Sequence, residues 1–280
     1  MRLAPLSLIG GLIRLVHPFP ILLDGIASGA FALLAGGDGG VAVRLGIAMV
    51  ALQASIGVLN DVVDAADDAV SKPDKPIPAG LVAPSVAEAV SAGSAVVGLL
   101  LAAVSGPGLL LLAAVGLAIG YGYDLAAKGT PWSWVPFAIG IPLLPVFGWY
   151  GAAGGLPALF ALLVPLAIVA GAALAIANAI ADASRDRAAG VGSVAIRLGT
   201  ARAWAIGAAM QAAVGLVALG SAWVAGAHAP ALAAIVAGLG LVVAGLRLGR
   251  SASPVILERA WEVQAIGIVV LAVSWLWGMG

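Results

Sequence analysis

The sequence predicts an all-α, polytopic membrane protein: a bundle of nine transmembrane helices with a central cavity that opens at the cytoplasmic side. Three observations carry this. Only 9% of the residues are charged while 62% are hydrophobic, with a mean hydropathy of +1.14; soluble domains carry about 25% charge. Apolar runs of about 20 residues, the length that crosses a hydrocarbon core, recur along the whole chain. Lys and Arg gather on one side of the topology that those runs define.

The runs lack the alternation of a lipid-facing barrel strand, and a spanning segment must satisfy its own backbone groups, so they are helices. Their breaks place helices at about 7–35, 41–66, 84–105, 108–127, 132–151, 156–183, 200–226, 229–249 and 255–278. The first follows Arg2 without a small-residue cleavage site and reads as a retained helix rather than a signal peptide. Short connections at 36–40, 105–108, 151–155 and 226–230 are rich in Gly, Ala and Pro; the opposite ones, at 67–83, 184–199 and 250–254, are longer or more polar. With nine spans, Arg2, Arg14, Lys72, Lys75, Lys128, Arg185, Arg187, Arg197, Arg202, Arg247, Arg250 and Arg259 fall on or near one side, and only Arg44 on the other. Basic residues mark the cytoplasmic side, so the polar loops face the cytoplasm. Tryptophans 132, 134, 149, 223, 261, 275 and 277 mostly sit at helix ends, as in an interfacial belt. A net charge of zero gives a nucleic-acid partner no electrostatic support. The absence of cysteine excludes disulfides and thiolate chemistry.

The chain repeats itself. Asn60, Asp64 and Asp68 are spaced four and four, and so are Asn178, Asp182 and Asp186; these are the only two asparagines present. Residues 1–280 thus read as a single domain of two pseudo-repeated parts, about 1–130 and 131–280. A spacing of four sets side chains one turn apart on one helix face, so each segment is expected to be a ladder of one amide and two carboxylates, with Asp61 and Asp67 added to the first. Stacked carboxylates near lipid are costly and call for a cation. Oxygen ligands without Cys or His favour Mg²⁺, which keeps waters and is completed by substrate phosphates. A phosphate or diphosphate bridging both ladders is therefore expected, with Lys72, Lys75, Lys128, Arg185 and Arg187 available to neutralise it. A metal-bound diphosphate on carbon is a leaving group. The run Lys72-Pro-Asp-Lys-Pro-Ile-Pro-Ala-Gly80 cannot be an ordinary helix and reads as an ordered extended loop, either a lid over the site or a plain connector.

At these residues a family resemblance emerges. Asn60-Asp-Val-Val-Asp64-Ala-Ala-Asp-Asp68 resembles the NDxxDxxxD motif of the UbiA superfamily of intramembrane prenyltransferases, and the run 72–80 is similar to its Lys-x-x-Arg-Pro-Ile-Pro-x-Gly stretch, with Lys75 where Arg is usual. Asp182-Ala-Ser-Arg-Asp186-Arg-Ala-Ala-Gly190 resembles its second motif, DxxxDxxxG. Tyr123 with Lys128 resembles its Tyr-x-x-x-Leu-Lys element, with Ala127 in place of Leu. Arg14 with His17-Pro18 resembles its N-terminal basic element. The resemblance implies Mg²⁺-dependent transfer of a prenyl group from a polyprenyl diphosphate to a small aromatic or lipid acceptor, in the plasma membrane of a prokaryote, with the mouth toward the cytoplasm. It implies metal ligands at Asn60, Asp61, Asp64, Asp68, Asp182 and Asp186. Diphosphate contacts fall to Lys72, Lys128 and Arg185, and the reacting cation to Tyr123 beside the catalytic acids and Lys128. Acceptor binding falls to Arg14, His17 and Asn178, Arg14 being equally ordinary as a topology charge and His17 either a base or simply a polar helix residue. Asp24, an acid inside the first helix, is a functional candidate by default and either orients an acceptor or pairs with a neighbouring helix. An aromatic, quinone-type acceptor is favoured. The alternatives are a lipid-pathway enzyme, a phosphoribose-transferring member, a terpene cyclase or, from another class, a transporter.

Overall fold

The computed structural model describes residues 5–280, so Arg2 lies outside the described residues. These residues are helical and contain no strand. They form two compact units, the first comprising the chain up to Ala126 with Leu144–Gly155, the second Ala127–Leu143 with Leu156–Gly280.

The first unit contains α1 (Pro5–Leu15), α2 (Pro18–Leu34), α3 (Gly39–Val63), α4 (Ala65–Ser71), α5 (Pro84–Ala103), α6 (Pro107–Gly122), most of a π turn (Tyr123–Ala127) and most of α8 (Leu143–Ala153). Proline opens α2, α5 and α6, where its missing N–H costs nothing. Asp38 caps α3 by accepting from the Val41 N–H at 2.8 Å. Close backbones replace bulk where α2 crosses α3: a Cβ on Gly46 would lie 3.0 Å from the Gly25 carbonyl. Near the polar loops the core consists of Leu15, Val58, Ile77, Val82 and Ala87.

The second unit contains α7 (Trp134–Gly140), α9 (Phe160–Ala188), α10 (Val194–Leu198), α11 (Thr200–Val224), α12 (Ala229–Leu248) and α13 (Pro254–Met279). Helices α12 and α13 approach through Gly238 and Gly267; a Cβ on the latter would lie 2.9 Å from the Gly238 carbonyl. His228 caps α12, its Nδ1 accepting from the Ala231 N–H at 3.2 Å. Trp275, grouped above with the belt, is 2% exposed and donates to Ser221 Oγ at 2.9 Å. Leu22, Ile26, Leu100, Leu111, Leu216 and Val236 are all more than half exposed. Such residues are stable outside only against hydrocarbon, and the chain is an integral membrane protein.

Among the described residues eight helical segments are long and apolar enough to span a membrane, counting α6 with the π turn and α7 with α8 as one each, and the pair α1–α2 supplies a ninth if it crosses as one span. Three expected helices differ in their details. The first, read as continuous over 7–35, breaks at Val16–His17 with a 57° bend, beside prolines 18 and 20, which cannot donate to a continuous ladder. The fifth divides between Gly140 and Leu143, around Pro142. The second stops at Val63: Asp64 closes α3 and the chain restarts as α4. The first acidic ladder therefore does not run along one helix. The second does, because α9 continues to Ala188 and carries Asn178, Asp182 and Asp186 together.

Candidate active site

The break at Asp64 shapes the first acidic segment. On an unbroken helix Asp61 and Asp68 would stand two turns, about 10 Å, apart. Here both reach one ammonium group: Lys75 Nζ donates to Asp61 Oδ1 and to Asp68 Oδ2, each at 2.6 Å. Both carboxylates are buried, at 2% and 4% exposure. Burial disfavours the charge on Lys75, but hydrogen bonds and attraction from Asp61 and Asp68 outweigh it and hold its pKa above the ordinary lysine value.

His17 is the third partner. Its Nε2 lies 3.1 Å from Asp61 Oδ1. It has a φ of 52° and is the one non-glycine residue in the left-handed region among the described residues. Such strain persists where the surroundings over-determine it; here the kink between α1 and α2 and the packing of the ring against Gly57 do so, a Cβ on Gly57 lying 3.3 Å from the His17 Cδ2. Asn60, beside Asp61, turns elsewhere and donates from Nδ2 to Asp124 Oδ1 at 2.9 Å. Asp124 is buried in the π turn that Tyr123 opens and Lys128 follows.

The Pro-rich segment is a loop, as expected, but it folds as consecutive turns rather than in an extended form. It is anchored twice: Arg14 Nη2 donates to the Asp74 carbonyl at 2.5 Å, and Ile77 and Val82 sit in the core cluster. Lys72 ends α4, its N–H bonded to the Asp68 carbonyl at 2.8 Å. Deeper along α2 and α3, Gln53 Nε2 donates to Asp24 at 2.6 Å. Ser55 Oγ meets Tyr121 Oη at 2.6 Å and donates to the Ser91 carbonyl at 2.7 Å.

In the second unit Asp182 is ion-paired with Arg185. The arginine expected on a diphosphate thus starts on its own helix's carboxylate. Asn178 and Asp186 are half-buried on α9.

The donor set suits a hard divalent cation. The acids are oxygen ligands without sulfur, and Asp61 Oδ2 is buried without a hydrogen-bond partner. Mg²⁺ takes few protein carboxylates and completes its shell with water and phosphate.

Sequence reasoning missed Asp124, Gln53 and the bridging role of Lys75. Asp124 carried a signal that could have found it, since an acid at the end of an apolar span is a functional candidate by default.

Against this geometry the comparisons are consistent. A profile of the UbiA prenyltransferase family matches residues 25–261. The chain is 30% identical over 230 residues to a digeranylgeranylglyceryl phosphate synthase from Methanoregula boonei, covering 80% of this chain and 82% of that one. Among solved structures, the apo form of a UbiA homologue from Aeropyrum pernix aligns with a TM-score of 0.71 at 20% identity, over 91% of this chain and 96% of that one. A UbiA homologue from Archaeoglobus fulgidus bound to GPP and Mg²⁺ aligns with a TM-score of 0.67 at 18% identity, over 93% and 99%. The family profile and the likeness to the Methanoregula boonei synthase make this an intramembrane prenyltransferase. The chain belongs to the UbiA prenyltransferase family.

Proposed function

We propose that this enzyme transfers a prenyl group from a polyprenyl diphosphate to the hydroxyl of a lipid acceptor, with Mg²⁺, at the cytoplasmic face of a prokaryotic plasma membrane. The likeness to the Methanoregula boonei synthase over four fifths of the chain carries the choice of acceptor. Arg14, named above among the acceptor-binding residues, is engaged with the Asp74 carbonyl. The lipid reading replaces the aromatic one. The cytoplasmic orientation is supported by the basic residues that flank the polar loops.

In this reading Asn60, Asp61, Asp64, Asp68, Asp182 and Asp186 are the metal ligands. Bound Mg²⁺ would supply charge stabilisation for the departing diphosphate. Lys72, Lys128 and Arg185 neutralise its remaining charge. The donor's C–O bond breaks, and Tyr123 and the apolar helices shelter the allylic cation from water. The acceptor oxygen then bonds to that carbon. Its proton leaves to a neutral base, for which His17 is available, and Asp24 and Asn178 orient the acceptor.

The test is product analysis by mass spectrometry on purified enzyme in detergent. A prenylated glyceryl phosphate with one free hydroxyl, offered with a prenyl diphosphate and Mg²⁺, should gain one prenyl group, and EDTA should abolish this. Turnover of aromatic acceptors alone would overturn the lipid assignment, and magnesium-independent turnover would overturn the metal assignment.

A further inference from the structure

Lys75 stands where a metal ligand set would need its cation. Its Nζ contacts Asp61 Oδ1 and Asp68 Oδ2 at 2.6 Å each, and the three side chains are 18%, 2% and 6% exposed. Carboxylates this buried are stable only when paired. The backbone beneath Lys75 is fixed on both sides, by the Arg14 bond to Asp74 and by Ile77 and Val82 in the core. Its four-carbon stem nevertheless retains rotatable bonds. Neither Lys75 nor His17 uses Asp61 Oδ2, which is buried without a hydrogen-bond partner.

Taking Asp61 and Asp68 as metal ligands, as the proposed function does, we infer that Lys75 is a positioning residue for the first metal. It holds the two carboxylates together in the metal-free protein. It yields them, by rotation of its stem on a fixed loop, to a divalent ion that enters at Asp61 Oδ2. Loading the segment is then an exchange of an ammonium for an ion, without opening of the loop. A lysine suits such an exchange: it is a compact point charge, whereas the fork of an arginine grips carboxylates through paired bonds. Once released, the ammonium is close to the bound ion and available to the phosphate oxygens that complete its shell.

The experiment uses Mn²⁺ as a paramagnetic probe. Free Mn²⁺ is measured by electron paramagnetic resonance over the full-length protein in detergent, without diphosphate. Asp182→Asn and Asp186→Asn in the background leave only the first segment to bind. In that background Lys75→Met should bind Mn²⁺ at least about tenfold more tightly than the lysine parent. Without metal it should unfold at a lower temperature, and it should gain more from added Mn²⁺. Lys75→Arg should bind Mn²⁺ more weakly than the parent, and this second variant carries the test if the methionine protein does not fold. Equal or weaker binding by Lys75→Met, equal or tighter binding by Lys75→Arg, or no detectable binding by any of them overturns the exchange. The metal assignment fails separately, if Mn²⁺ binding survives Asp61→Asn combined with Asp68→Asn. It stands if only the Lys75 variants disagree.

Discussion

At the scale of single residues the first acidic segment is a charge-balancing problem. Four acids fall between Asp61 and Asp68, and burial of two of them is tolerable because Lys75 bridges them. Asp61 is the residue most exposed to test: it combines 2% exposure, two donors on one oxygen and none on the other. Asp61→Asn keeps its shape and removes its charge. Prenyl transfer in the detergent assay should fall by at least about a hundredfold, the scale of losing one charge-stabilising group, with the protein still folded by circular dichroism. The shift of Lys75 sets a pH dependence. A lysine whose folded pKa is raised contributes stability that is fully present below its unfolded pKa and is lost as pH rises through the folded value. The difference in melting temperature between the wild type and Lys75→Met, measured in EDTA, should therefore be flat between about pH 7.5 and 9.5. It should shrink only above the ordinary lysine range, near about 10.4.

At the scale of elements, kinks and close crossings do the positioning. The bend at His17 aims its ring at Asp61 at the cost of a left-handed backbone. Such strain costs on the order of 1–3 kcal/mol. His17→Gly, which loses the contact to Asp61 but relieves the backbone, should therefore lower the melting temperature less than His17→Val, whose β-branched side chain at positive φ adds several degrees of loss. The crossing of α12 on α13 makes the complementary prediction. A side chain on Gly267 would run into the backbone of Gly238 and the amide of Val242. Gly267→Val should destabilise by about 1–3 kcal/mol, as overpacking does, read as loss of the monodisperse peak on heating in detergent. The Asp64 break belongs to this scale too. A repeat of four along the sequence indicates which side chains align if the helix continues, but not whether it continues. The pairing of Asp68 with Lys75 accompanies the turn.

At the scale of the whole molecule, the exposed leucines, isoleucines and valines make lipid the solvent. Leu216, 73% exposed on α11, should tolerate alanine. Leu216→Asp should sharply reduce the amount recovered from membranes, since a mid-span acid costs about 2.5–3.5 kcal/mol on insertion. The chain contains no cysteine, which makes its topology directly measurable. Cysteines introduced singly at Ser251 and Ala189 should react with an impermeant maleimide only after the cells are opened. Those at Asp38 and Gly154 should react in intact cells. Labelling in the opposite sense would reverse the orientation proposed above.

Composition and motif spacing alone determined that this is a helical membrane protein and where most of its spans lie, and they singled out Asn60, Asp61, Asp64, Asp68, Asp182 and Asp186 as the candidates for its chemistry. These are local properties: the need to satisfy a backbone in lipid, and the cost of clustered carboxylates, act on short stretches of chain. Packing between distant segments set the rest: Asp61 and Asp68 share Lys75, Asn60 turns to Asp124, Gln53 meets Asp24, and His17 sits at a kink. Those pairings join positions separated by 7 to 64 residues. They depend on where a helix stops and which neighbour it crosses, and no periodicity along a single helix encodes that.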